Sequence, residues 1–181
     1  MNKRGGGQVD NNYKFRRLFL IFNKEDAGFN EGGDPEGYLK LEVRDGNGKL
    51  NCHVSNLKEE SSNMKYMLYI MKLDETTVVP CLAGSIAIKK NKGELNWEFD
   101  PLNVGRTGLT IDEFNAAIVL VQYKNRPYDS IISPLAALGS KKTEWRGKLE
   151  RYFKEKESDD GNNNKPQDDN LIINIKENIT S

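Results

Sequence analysis

Catalysis or metal binding in this chain would have to run through very few side chains, because it holds one histidine, His53, and two cysteines, Cys52 and Cys81. A Ser-His-Asp or Cys-His set needs an imidazole within hydrogen-bond reach of its nucleophile, and no nucleophile elbow or activated-thiol motif accompanies His53. Structural zinc takes paired ligands a few residues apart, whereas the cysteines are 29 residues apart. His53 falls out of phase with Leu50, Cys52 and Val54 in an alternating run, which places it on the polar side of a strand as a solvated residue. These residues point to a non-catalytic protein, with no catalytic residue, metal or cofactor expected.

Weaker motifs fail on context. The loop with Asn30, Glu31, Asp34 and Glu36 offers oxygen ligands without the regular spacing of an EF-hand, so a plain polar loop is expected. Gly5-Gly6-Gly7 precedes the first strand instead of following one, so it is no phosphate cradle. Basic and acidic residues both number 27, and at zero net charge a lone Arg4-Gly5-Gly6 triplet makes no case for nucleic acid.

Two sets of apolar side chains remain as binding candidates. Trp97 and Trp145 are the residues a carbohydrate-binding module would use for stacking, although an inward strand phase and a helix stripe make core packing the simpler expectation for both. Leu171, Ile172, Ile173 and Ile175 form an extended apolar segment suited to adding a strand to a sheet edge, of its own chain or of a neighbour. The expected partner class is protein, self included, in a structural or interaction role.

The elements that must position these residues are strands. Leu39, Leu41 and Val43 alternate with Lys40, Glu42 and Arg44; Leu50, Cys52 and Val54 alternate with Asn51, His53 and Ser55. Asp45-Gly46-Asn47-Gly48 between them tolerates the positive φ of a tight hairpin, which predicts a two-stranded unit with one wet face. A second hairpin is predicted from Gly84–Lys89, a turn at Lys90-Asn91-Lys92-Gly93, and Glu94–Phe99. The two units are spaced 47 residues at Gly37 and Gly84 and 45 at Leu50 and Leu95, ordinary hairpins being the simpler account over a duplication.

Tyr66–Met71 is apolar on both phases, the pattern of a strand covered on both sides. Tyr13–Phe22 reads as a buried first strand, and 23–37, rich in glycine, as a loop with nothing regular in it. Thr77–Leu82 carries Pro80, which favours an edge or a strand end. Thr110-Ile111-Asp112-Glu113 has capping-box spacing and predicts one helical turn, followed by a strand over Asn115–Tyr123. Trp145, Leu149, Tyr152 and Phe153 share a face of a helix expected over Thr143–Lys156.

The organisation expected is a flexible arm over 1–12, a β-domain with its helix over 13–156, a disordered polar linker over 157–170, and the strand-like segment 171–181. No segment reads as a signal peptide or a span, so cytoplasmic residence is the default. In such a reducing compartment Cys52 and Cys81 are expected to be buried thiols. The fold expected is a mainly β, antiparallel sandwich or partly open barrel of about seven or eight strands with one C-terminal helix.

The Gly37-x-Leu39-x-Leu41 strand and its hairpin, Asn56-Leu57, Tyr66-Met67-Leu68-Tyr69, Gly84-Ser85-Ile86, Phe99-Asp100-Pro101-Leu102-Asn103-Val104, Gly108-Leu109 and Ser133-Pro134-Leu135 ahead of Trp145 form a series of packing and turn motifs. On these, the stretch from Gly37 to Trp145 resembles a set of uncharacterised β-domains of spore-forming, clostridia-type Firmicutes. The resemblance implies a context of sporulation or the cell envelope, spore or cell-surface association included, and transfers no site.

Overall fold

The computed structural model describes residues 15–125, 130–139 and 144–162. The N-terminal arm, the linker from residue 163 onward and the segment 171–181 lie outside the described residues.

The hairpin signals act as expected. β3 (Glu36–Arg44) and β4 (Asn47–Ser55) pair antiparallel, with Leu39 opposite Cys52 and Leu41 opposite Leu50. The turn is only Asp45-Gly46, at φ 51° and 77°, so Asn47 and Gly48 already belong to the strand. β6 (Val78–Lys89) and β7 (Lys92–Phe99) repeat this with Lys90-Asn91 at φ 51° and 64°. Two successive positive φ values give the turn twist that matches twisted strands.

β5 (Met64–Leu73) and β8 (Ala116–Tyr123) are buried along most of their length on both phases. β9 (Leu135–Leu138), a short Leu-Ala-Ala-Leu run that the pattern did not mark, pairs with β8. With β1 (Arg16–Ile21) at one end and β2 (Asn23–Lys24) at the other, the order across the sheet is β1-β3-β4-β7-β6-β5-β8-β9-β2, every pair antiparallel.

One strand turns each corner. β6 pairs with β5 through Val78–Ile86 and with β7 only through Ala87–Lys89, so it passes from one half of the sheet to the other. Thr77–Leu82 and Gly84–Lys89 are thus one strand, and Pro80 sits in the half whose second side has no ladder among the described residues, where a missing N–H costs nothing. At the other corner the N-terminal chain does the same. β1 (Arg16–Ile21) pairs with β3, and after the buried Phe22 two residues of β2 (Asn23–Lys24) pair with β9. The two ends of the sheet therefore meet on one stretch of chain, which makes the architecture a nearly closed barrel, and the loop expected over 23–37 begins with a strand.

Inside lie Leu39, Leu41, Val43, Leu50, Cys52, Val54, Tyr66, Leu68, Ile70, Ile86, Ile88, Val119 and Leu135 in one core. A second core lies outside the barrel, where α1 (Arg146–Asn162) packs Trp145, Leu149 and Phe153 against Tyr69, Met71, Ile118 and Leu120. The two-sided burial of Tyr66–Met71 follows, with Tyr66, Leu68 and Ile70 inward and Tyr69 and Met71 under the helix. The helix runs to Asn162, into residues expected to be linker; its i−4 ladder continues through polar residues, and Ser158 Oγ donates to Lys154 O. The predicted turn appears as a 3₁₀ turn over Ile111–Glu113, where the Thr110 N–H donates to Glu113 Oε2 at 2.9 Å.

Among the described residues no helix is long and apolar enough to cross a membrane.

Candidate functional site

The half-sheet β1-β3-β4-β7 shows its inner side to the core, and the alternation that drives Leu39, Leu41, Leu50 and Cys52 inward turns the intervening residues outward. Register then fixes three rows across the outer face. Ile21, Tyr38, His53 and Glu94 lie opposite one another in the first; Phe19, Lys40, Asn51 and Asn96 in the second; Arg17, Glu42, Lys49 and Glu98 in the third.

The rows grade from apolar to ionic. Arg17 donates to Glu42 at 3.1 Å, Lys40 reaches the same carboxylate at 3.3 Å, and Lys49 meets Glu98 at 3.0 Å. The Arg17 guanidinium, seconded by Lys40, holds the Glu42 carboxyl below the ordinary glutamate value. Asn51 and Asn96 bond to each other in the middle row.

At the other end the rings of Phe19, Tyr38 and His53 stand in a stack, with centroids 5.1 Å and then 4.8 Å apart at 26° and 29°. His53 Nδ1 lies 3.0 Å from Glu94 Oε1, which orients the ring. Beside the stack is a recess of about 590 Å³, lined among others by Phe19, Ile21, Tyr38, His53, Glu36 and Glu94. Three of the six exposed large apolar residues among those described, Phe19, Ile21 and Tyr38, at 55%, 68% and 38% exposure, stand together on this corner, while Phe15 lies beyond the ionic row with Arg17 over its ring. β1 hydrogen-bonds as a ladder to β3 alone among the described residues, which leaves its second edge without a ladder among them.

This surface was not among the candidates read from sequence. Phe19 and Ile21 belong to a run that is apolar on both phases, which reads as buried on both sides; instead β1 buries one phase only, with Leu18 and Leu20 packed on the core. The signal that marks the wet phase is Arg17, which shares it with Phe19 and Ile21. His53 lies on the outer face as its phase requires, stacked on Tyr38 and with Nδ1 beside the Glu94 carboxylate.

The tryptophans face the cores. Trp145 is 5% exposed under α1, with the Arg146 guanidinium 4.5 Å from its ring centre, and Trp97 is half-buried and stacked on Phe99 at 4.9 Å. Trp145 is thus closed to a sugar, and Trp97 has one ring face against Phe99. Leu171, Ile172, Ile173 and Ile175 lie outside the described residues. The acidic loop is dispersed, with Asp34 paired to Lys24 at 2.6 Å and Glu36 accepting from Ser55 Oγ. Among the described residues no three His, Cys, Asp or Glu side chains gather into a metal-binding group. Cys52 and Cys81 are free and buried, and burial pushes their thiols up to about 12 and about 11, the opposite of an activated nucleophile.

Fold and surface together define a small antiparallel β-barrel domain with one half-sheet covered by its own helix and the other open. The family described as "Domain of unknown function (DUF7922)" matches over residues 28–136, more than half of the chain, and the chain belongs to that family. No curated protein and no solved structure matches it. The matched region runs from before β3 into β9 and leaves out β1 and α1, so the recess joins family strands to a strand outside the match.

Proposed function

We propose that this chain is a non-catalytic protein-interaction domain that binds through the open half-sheet, at the corner formed by Phe19, Ile21, Tyr38 and His53. The observation that carries this reading is the concentration of exposed apolar side chains beside a strand whose second edge carries no ladder among the described residues. Apolar area and unpaired backbone groups in one place are what an extended protein segment uses when it adds to a sheet. The two buried, protonated thiols support the non-catalytic part of the reading.

A sugar-binding reading is less well supported by the same corner. The rings of Phe19, Tyr38 and His53 turn their faces to each other, so an incoming ligand meets mainly ring edges, whereas sugars stack on faces.

A photo-reactive phenylalanine at Ile21 and, separately, at Lys49 tests the proposal in cells. Protein adducts of defined mass are expected at Ile21, absent at Lys49, and lost when Tyr38→Ser is added. Equal labelling at both positions, or none at Ile21, defeats the proposal.

A further inference from the structure

We infer that this corner takes a basic segment of a partner protein, which sets a lysine or arginine side chain against Glu36 and Glu94 and lays a neighbouring apolar side chain on Phe19 and Ile21. This occupant rests on the protein-binding reading of the corner and gives the partner its chemistry.

The recess lies between two rows of the outer face. Glu36, Ser55 and Lys92 lie opposite one another in the first, and Ile21, Tyr38, His53 and Glu94 form the second. Ser55 is small and sits at the centre of its row, which leaves a dip beside the Tyr38 and His53 rings.

Charge decides the kind of partner. Four glutamates stand on this outer face, and they divide by row. Glu42 is held by Arg17 at 3.1 Å and Lys40 at 3.3 Å, and Glu98 by Lys49 at 3.0 Å. Glu36 and Glu94 line the recess, and neither pairs with a lysine or arginine among the described residues. Glu36 accepts from the Ser55 hydroxyl at 3.1 Å, and Glu94 lies 3.0 Å from His53 Nδ1, so each carboxylate keeps spare acceptor positions. A neutral imidazole that donates from Nδ1 also keeps Nε2 as an acceptor. Lys92, exposed at the start of β7, is the one ammonium among the described lining residues, and against two carboxylates it leaves the recess net negative.

The lining atoms with free capacity are therefore mostly acceptors, and a lysine or arginine side chain brings donors together with positive charge. An acidic segment meets like charges here. A purely apolar one strips water from two carboxylates and puts nothing in its place.

Spacing lets one segment meet both the carboxylates and the apolar side chains. Ile21 lies opposite Tyr38, so Glu36 is its diagonal neighbour across the β1–β3 pair, with α-carbons about 7–8 Å apart. Glu94 lies three strands from Ile21 in the same row, about 14 Å at the usual strand spacing. About five residues of extended chain cover that length, with alternate side chains facing the sheet.

The test selects binders of the full chain from a displayed library of random peptides and measures the enriched peptides by fluorescence anisotropy. The proteins compared are the wild type, Tyr38→Ser, the double variant Glu36→Gln with Glu94→Gln, and Glu98→Gln, each first shown to keep the wild-type circular dichroism and melting temperature. Enriched peptides are expected to combine lysine or arginine with an apolar residue close by. Their affinity is expected to fall about tenfold in Tyr38→Ser and in the double variant, and to stay within about twofold in Glu98→Gln. Peptides without basic residues, or basic ones that bind the double variant as tightly as the wild type, overturn the inference; if Tyr38→Ser still weakens them, the protein-binding reading stands. An equal loss in Glu98→Gln also overturns it, by showing attraction to the face as a whole. If every enriched peptide ignores Tyr38→Ser, both the inference and the reading of the corner fail. Absence of any enriched peptide overturns the inference, and cross-linking at Ile21 then decides the binding reading.

Discussion

The barrel has two outer faces and treats them oppositely. On the β5-β8-β9 side the outward residues are Tyr69, Met71, Ala116, Ile118, Leu120 and Ala136, and α1 lies over them with Trp145, Leu149 and Phe153. On the β1-β3-β4-β7 side the outward residues are charged or carboxamide except at one corner, and no described element covers them. Small alanines let the helix come close on the first face, and T-shaped contact of Tyr69 with Phe153 at 5.7 Å fills the seam. The second face is wet along Arg17, Glu42, Lys49 and Glu98, and its apolar corner is the part that the chain's own described elements leave open. The contrast teaches that exposed Phe19 and Ile21 are a local exception on a face otherwise suited to water.

The contrast breaks most sharply under paired truncations. Leu149, fully buried beneath the helix, is expected to cost about 2–5 kcal/mol as Leu149→Ala. Phe19→Ser on the open face should stay within about 0.5 kcal/mol of wild type under dilute conditions. Denaturant titration of both variants measures the difference, and equal losses would show that the open corner is packed within the single chain.

A smaller effect is expected where the helix start is tied down. Arg146 Nη1 bonds Asp26 at 2.8 Å and Ile131 O at 3.0 Å, and its Nη2 bonds Glu25 at 3.2 Å. Asp26 also accepts from the Ser133 N–H at 2.7 Å, and the buried Ser133 Oγ lies 2.9 Å from both Val119 O and Leu135 O. This joins α1 to the stretch that closes the barrel between β2 and β9. Arg146→Met keeps most of the stem packing and removes the charge, so a loss of about 1 kcal/mol is expected, at the low end because solvent reaches the pair. Hydrogen exchange should show the loss in the β2 and β9 amides before those of β3 and β4.

The smallest effect is a pH dependence at the covered face. Asp74 in the β5–β6 turn accepts from the backbone N–H groups of Thr77 and Thr76 and from the Thr77 hydroxyl, and these bonds hold its carboxyl far below the ordinary aspartate range. A folded-state pKa lowered in this way gives stability that is present above the unfolded value near 3.9 and is lost as pH falls toward the folded one. Thermal melts of Asp74→Asn below about pH 4 are therefore expected to fall less steeply than those of wild type. Parallel slopes would remove Asp74 from the acid response.

Much of the fold was legible because it rests on local, repeating signals. Alternation gave β3, β4 and β7, paired turn residues gave both hairpins, and the double-phase run Tyr66–Met71 announced a strand with two covered sides. β9 was not legible, since four residues without a periodic signature become a strand only when β8 and β2 lie on either side. The end of α1 was misplaced because polar composition argues for a linker, while helix propagation adds a hydrogen bond with each residue once a packed segment has nucleated it.

Taken alone, then, the sequence determined the identity and facing of β3, β4 and β7 and the turns of both hairpins, since each depends on neighbours within a few residues. It also determined that His53 points outward and that Cys52 points inward. Only the tertiary structure decided which outward residues are covered. Met71 and Phe19 are both apolar and both outward, yet one lies under Leu149 and Phe153 and the other beside a strand edge that carries no ladder among the described residues. Coverage depends on where a distant helix docks and which strand ends the sheet, and those are long-range contacts that no local pattern carries.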